Sequence, residues 1–89
     1  EKKHFVGKIL HYYPKINVAA IKLVSPIKIR DKICIIGETT GIEYTDITSM
    51  EIKHKSISNA KKGDEVGVKF SSPLLVRKND EVYKIISSK

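Results

Sequence analysis

The side chains of this sequence best able to do chemistry are three histidines, one cysteine and two pairs of adjacent acids. His4, His11 and His54 show neither the i, i+4 spacing nor the cysteine pairs that a metal site uses, so no metal ligand and no cofactor is expected. Asp64-Glu65 and Asp80-Glu81 fall in stretches that read as extended chain. Neighbouring residues there point to opposite faces, so neither pair forms an acid and base couple by itself. Cys34 lies among Ile33, Ile35 and Ile36 and reads as a small buried hydrophobe rather than a nucleophile. A single thiol excludes an internal disulfide and fits a reducing cytoplasm. Ser71-Ser72 and Ser87-Ser88 lack a recognisable base and read as loop and tail. Catalysis by this chain is therefore not expected.

Binding is the better-supported expectation. His11, Tyr12 and Tyr13 interleave with Lys8 and Lys15, a mixture of aromatic faces and cations suited to an unpaired base or a phosphate backbone. Only one of Tyr12 and Tyr13 can point to a core on an alternating strand. Lys53, Lys55, Lys61 and Lys62 form a second cationic group. The net charge of +7 divides as +6 over residues 1–30, −2 over 31–60 and +3 over 61–89. If the first and last strands lie side by side, the two basic ends merge into one patch suited to phosphate. A lysine-rich, isoleucine-rich chain is also what heat adaptation produces, so the same charge has a bland reading. The expected partners are tRNA, rRNA or the ribosome, reached through the basic face. The alternative is a protein-docking accessory domain for a separate GTPase or RNA-modifying enzyme, using an apolar or mixed patch.

These residues must be carried by strands. One phrase occurs three times, as Arg30-Asp31-Lys32-Ile33, Gly63-Asp64-Glu65-Val66 and Asn79-Asp80-Glu81-Val82. Gly and Asn tolerate a left-handed backbone and Asp bonds back to nearby amides, so Asp31, Gly63, Asp64, Asn79 and Asp80 are expected to build tight turns that feed strands. Strands are predicted at Phe5 to Tyr13, Val18 to Val24, Lys32 to Ile36, Ile47 to Lys55, Val66 to Phe70 and Val82 to Ile86, with a short one at Leu74 to Val76. The first two should form a hairpin. One helical turn at most is predicted between Ser56 and Lys62. Val66, Val68 and Phe70 alternate with Glu65, Gly67 and Lys69, which assigns an inner and an outer face. Short strands bounded by Gly, Pro and Asn argue for a single all-β domain over residues 1–89, a small closed six-stranded antiparallel barrel. Apolar runs are too short to cross a bilayer, and the N-terminal Glu1-Lys2-Lys3-His4 does not read as a signal peptide. The sequence does not begin with methionine, as expected of a trimmed chain or a piece of something longer.

Phe5-Val6-Gly7-Lys8-Ile9, Val18-Ala19-Ala20-Ile21, Ile29 to Ile33 followed by Ile36-Gly37, and Ser49-Met50-Glu51-Ile52 resemble the second-domain barrel of translational GTPases such as elongation factor Tu. They resemble still more the stand-alone archaeal proteins called translation elongation factor-like. The most specific piece is Ala60-Lys61-Lys62-Gly63-Asp64-Glu65-Val66-Gly67-Val68. The resemblance implies a non-catalytic translation-factor barrel that binds RNA or a ribonucleoprotein. The barrel also resembles the C-terminal domain of collagenase-like peptidase relatives that act in RNA modification. Relatives place Gly where this chain has Arg30, so that turn is expected to differ. Gly37-Glu38-Thr39-Thr40-Gly41 lacks the spacing and the lysine of a P-loop, so no GTP binding is expected.

Overall fold

In the computed structural model, which describes residues 2–86, the thrice-used phrase builds the same turn three times. The residue before each aspartate is left-handed, with φ of 75° at Arg30, 93° at Gly63 and 73° at Asn79. Each carboxylate accepts the backbone N–H three residues earlier, from Lys28 to Asp31, Lys61 to Asp64 and Arg77 to Asp80, all at 2.9 Å. Each aspartate N–H donates back to the carbonyl of that same residue, at 3.2, 3.0 and 3.1 Å. Two main-chain groups that a turn would leave unpaired are thus satisfied by one side chain and one peptide. The expectation that Arg30 reshapes its turn is wrong: the hydrogen bonds hold Arg30 in the conformation that glycine adopts more readily.

The described residues form nine strands, β1 (Lys2–Tyr13), β2 (Val18–Leu23), β3 (Ile27–Lys28), β4 (Lys32–Gly37), β5 (Gly41–Ile52), β6 (Lys55–Ile57), β7 (Asn59–Ala60), β8 (Glu65–Phe70) and β9 (Glu81–Ile86). Six of them run in the order β4-β9-β1-β2-β8-β5, and a further β4–β5 pairing closes the ring. All these pairings are antiparallel, as expected for the all-β barrel. β1 and β2 form the expected hairpin, and the first and last strands are neighbours, pairing from Lys2 opposite Ile86 to Lys8 opposite Glu81. β6 extends the sheet from β5, and β3 with β7 forms a separate two-stranded pair.

The interior is aliphatic. Val6, Ile9, Ile21, Ile33, Ile35, Ile47, Met50, Val66, Val68 and Val82 are essentially inaccessible, and Phe70 joins them. Each such side chain contributes roughly 1.5–3 kcal/mol on leaving water. Bulges in β1 near Val6 and Leu10, and in β5 near Thr48, bend the strands around this core. At the first bulge the backbone approaches closely: a Cβ on Gly7 would lie 2.2 Å from the carbonyl oxygen of Lys22.

Three local expectations fail. The predicted strand from Ile47 to Lys55 is a hairpin, because Lys53 (φ 51°) and His54 (φ 67°) both turn left-handed between β5 and β6. Ser56 to Lys62 holds no helical turn and instead contributes β6 and β7. Leu74 to Val76 is not a strand but an extended loop, with Val76 tucked into the core.

Candidate functional site

The bulge near Leu10 decides how the predicted aromatic cluster is displayed. It turns Tyr12 inward and leaves His11 and Tyr13 together outside, in edge contact with centroids 4.4 Å apart. Tyr12 is half-buried and stacks on Phe70 at 6.4 Å, and its hydroxyl donates to Asn17 Oδ1 at 2.7 Å. Asn17 in turn donates to the carbonyls of Phe70 and Ser72, at 3.3 and 2.7 Å. Burial raises the Tyr12 pKa, while the backbone N–H of Leu74 at its hydroxyl opposes the rise. Tyr12 is therefore a latch between β1, β8 and the following loop, and its face is occupied by Phe70. Lys8 lies across from Lys22 and Glu81, in a different row, and Lys15 sits in the β1–β2 turn.

The second predicted cluster is divided. Lys53 lies in the β5–β6 turn and Lys55 opens β6, whereas Lys61 and Lys62 belong to the turn closed by Asp64. Of the turn residues, Asp80 is the most enclosed: its carboxylate also accepts the Thr40 hydroxyl and packs where a Cβ on Gly37 would stand. Among the described residues no group of three or more His, Cys, Asp or Glu is placed to hold a metal. Ser71 bonds the Asp46 N–H and contacts the Thr45 hydroxyl, while Ser87 and Ser88 lie outside the described residues.

The feature that sequence reading missed is on the outside of the barrel. Register places Tyr44 of β5, Cys34 of β4, Tyr83 of β9 and Phe5 of β1 in one row across four strands. Ile42 and Ile36 form the next row beside Glu81. Alternation with Ile33 and Ile35 turns Cys34 to this outer side, yet it is fully buried there. Phe5 and Tyr83 meet edge to face at 5.4 Å. The Tyr83 hydroxyl donates to Glu81 Oε1 at 2.8 Å, and this bond, with burial and the carboxylate charge, raises the Tyr83 pKa. Tyr44 and Ile42 remain 52% and 58% exposed, so the face is only partly covered by the chain itself. Charged residues rim it, with Lys32 opposite Asp46 at one end and Lys8 opposite Glu81 at the other. An aromatic centre within a polar rim is the anatomy of a protein contact rather than of a phosphate site. The row joins β1, the β4–β5 hairpin and β9, three stretches far apart in sequence, so only the register reveals it.

Closed ring and outer aromatic face together define a small β-barrel domain. No family model matches the chain. It is 45% identical over 82 residues, 92% of its length, to an uncharacterized protease of Methanocaldococcus jannaschii, but covers 20% of that protein. A collagenase of Porphyromonas gingivalis is 27% identical over 84 residues, 93% of this chain and 23% of that protein. The chain thus spans about a fifth of the length of the curated relatives it matches. The C-terminal domain of a Geobacillus thermoleovorans protein assigned as a U32 peptidase has the same fold, with a TM-score of 0.80 and 18% identity, over 93% of both chains. Its selenomethionine variant gives 0.77 and 17% identity, over 89% of this chain and 96% of that one.

These relatives overturn the resemblance to translation factors and, with it, the reading as a translation-factor RNA-binding module. The turns and alternating strands behind that resemblance are corner and core solutions that unrelated small barrels share. The second resemblance, to the C-terminal domain of collagenase-like peptidases, is the one that the relatives match.

Proposed function

We propose that this chain is a non-catalytic accessory barrel of a U32-type peptidase, docking through its outer aromatic face onto the peptidase body. The observation that carries this reading is the 45% identity along nearly the whole chain to a fifth of a much longer protein named as a protease. The outer face supports it: Tyr44, Ile42, Tyr83 and Phe5 form an apolar surface that the barrel's own core does not need. A cytoplasmic setting belongs to the same reading, since Cys34 is a lone buried thiol. Among the described residues no helix is long and apolar enough to cross a membrane.

Lysine cross-linking tests it in a full-length peptidase that carries this barrel. Links from the body to Lys3, Lys8 and Lys32, which border the face, are expected. Links confined to the Lys53, Lys55, Lys61 and Lys62 turns would contradict it. Cleavage of gelatin or casein by the purified 89-residue chain would refute the non-catalytic assignment.

A further inference from the structure

β1 is paired unequally on its two edges. Its pairing with β9 ends at Lys8 opposite Glu81, and the turn before β9 bonds only as far as Ile9, whose N–H donates to the Asp80 carbonyl at 3.0 Å. Beyond Ile9 that edge of β1 has no strand partner among the described residues, although β1 continues to Tyr13 and stays paired with β2. An open strand edge presents unpaired N–H and C=O groups, a template for one more extended chain.

A groove of about 410 Å³ lies along this edge, between His11, Tyr12 and Pro14 on one side and the Leu75 to Lys78 segment on the other. Its apolar wall includes Leu75, 81% exposed, and Val76. Leu75 and Val76 share no hydrogen bond with another main-chain group among the described residues. Arg77 and Lys78 stand at its end, no acid lines it, and neither cation has a carboxylate within ion-pair distance among the described residues.

We infer that this groove takes an extended acidic peptide, added as a strand to the open edge of β1 at Leu10 to Tyr13. Main-chain groups of the edge hold the peptide backbone, Leu75 covers an apolar side chain, and Arg77 with Lys78 meets its carboxylates. A nucleic acid fits less well, because Tyr12 already stacks on Phe70 and the wall opposite, Leu75 and Val76, is aliphatic. The groove shares no residue with the outer aromatic face, so failure of either assignment leaves the other standing.

The test is fluorescence anisotropy of the 89-residue chain with a labelled hexapeptide of alternating valine and glutamate. Its partners are the valine and lysine counterpart, the acidic peptide with N-methylated valines, and an oligouridine of similar length. The acidic peptide should bind, with affinity lost at least about tenfold on N-methylation, in Leu75→Asp, and in Arg77→Glu with Lys78→Glu, a loss of roughly 1.4 kcal/mol. Leu75, Arg77 and Lys78 are exposed, so these variants should keep the fold, which circular dichroism verifies. No binding of the acidic peptide, equal binding of the lysine or N-methylated peptides, or tighter binding of oligouridine would each overturn the inference.

Discussion

At the residue scale, strain and proton linkage give measurable consequences. Arg30 holds a φ of 75° that its Cβ opposes, and its side chain is exposed. Arg30→Gly should therefore stabilise the barrel by about 1 kcal/mol, read as a higher urea midpoint at unchanged slope. An unchanged or lower midpoint would show that the turn costs nothing with arginine. Tyr83 titrates above its ordinary value of 10.0, first because its hydroxyl donates to Glu81. Its folded pKa is raised, so the unfolded chain releases the proton first as pH climbs past about 10. Stability from this group is complete below pH 10 and is lost as pH rises through the folded pKa. Tyr83→Phe should flatten part of the alkaline fall in denaturation midpoint, leaving the part due to Tyr12, whose pKa is raised by burial.

At the element scale, what could be read from sequence depended on whether the cause was local. Asp31, Asp64 and Asp80 announce their turns because the carboxylate bonds an amide three residues away. Val66, Val68 and Phe70 announce their face because alternation is a property of one strand. Lys53-His54 gives no such notice, since neither residue favours the left-handed conformation that both adopt. The bulge near Leu10 is equally silent, yet it decides that Tyr12, rather than His11 and Tyr13, faces inward. Replacing Lys53 with Asn and His54 with Gly should stabilise the β5–β6 hairpin by about 1–2 kcal/mol. Thermal melting of that double variant is the check, and a lower midpoint would mean that the two native side chains make contacts worth more than the strain they carry.

At the scale of the whole molecule, the barrel keeps its core apart from its outer aromatic row. The interior is closed by six strands and completed by aliphatic side chains, while Tyr44, Cys34, Tyr83 and Phe5 line up outside. That row was not legible in the sequence because its members come from four strands and meet only through β4–β5, β4–β9 and β1–β9 register. Charge was legible: the basic ends do meet at the β1–β9 pair, where His4 faces Lys84, and the adjacent pair is Phe5 with Tyr83. The docking claim is tested most directly by calorimetry of a full-length peptidase carrying the barrel, beside the free barrel and an Ile42→Glu, Tyr44→Glu variant of each. Docking worth about 1 kcal/mol raises the barrel's melting temperature by roughly 4–8 °C in a domain of this size. The account predicts that rise in the full-length protein and its loss in the variant, with the free barrel scarcely affected by the exposed substitutions. Equal melting of the barrel in the free and full-length forms, or a rise that survives both substitutions, would contradict it.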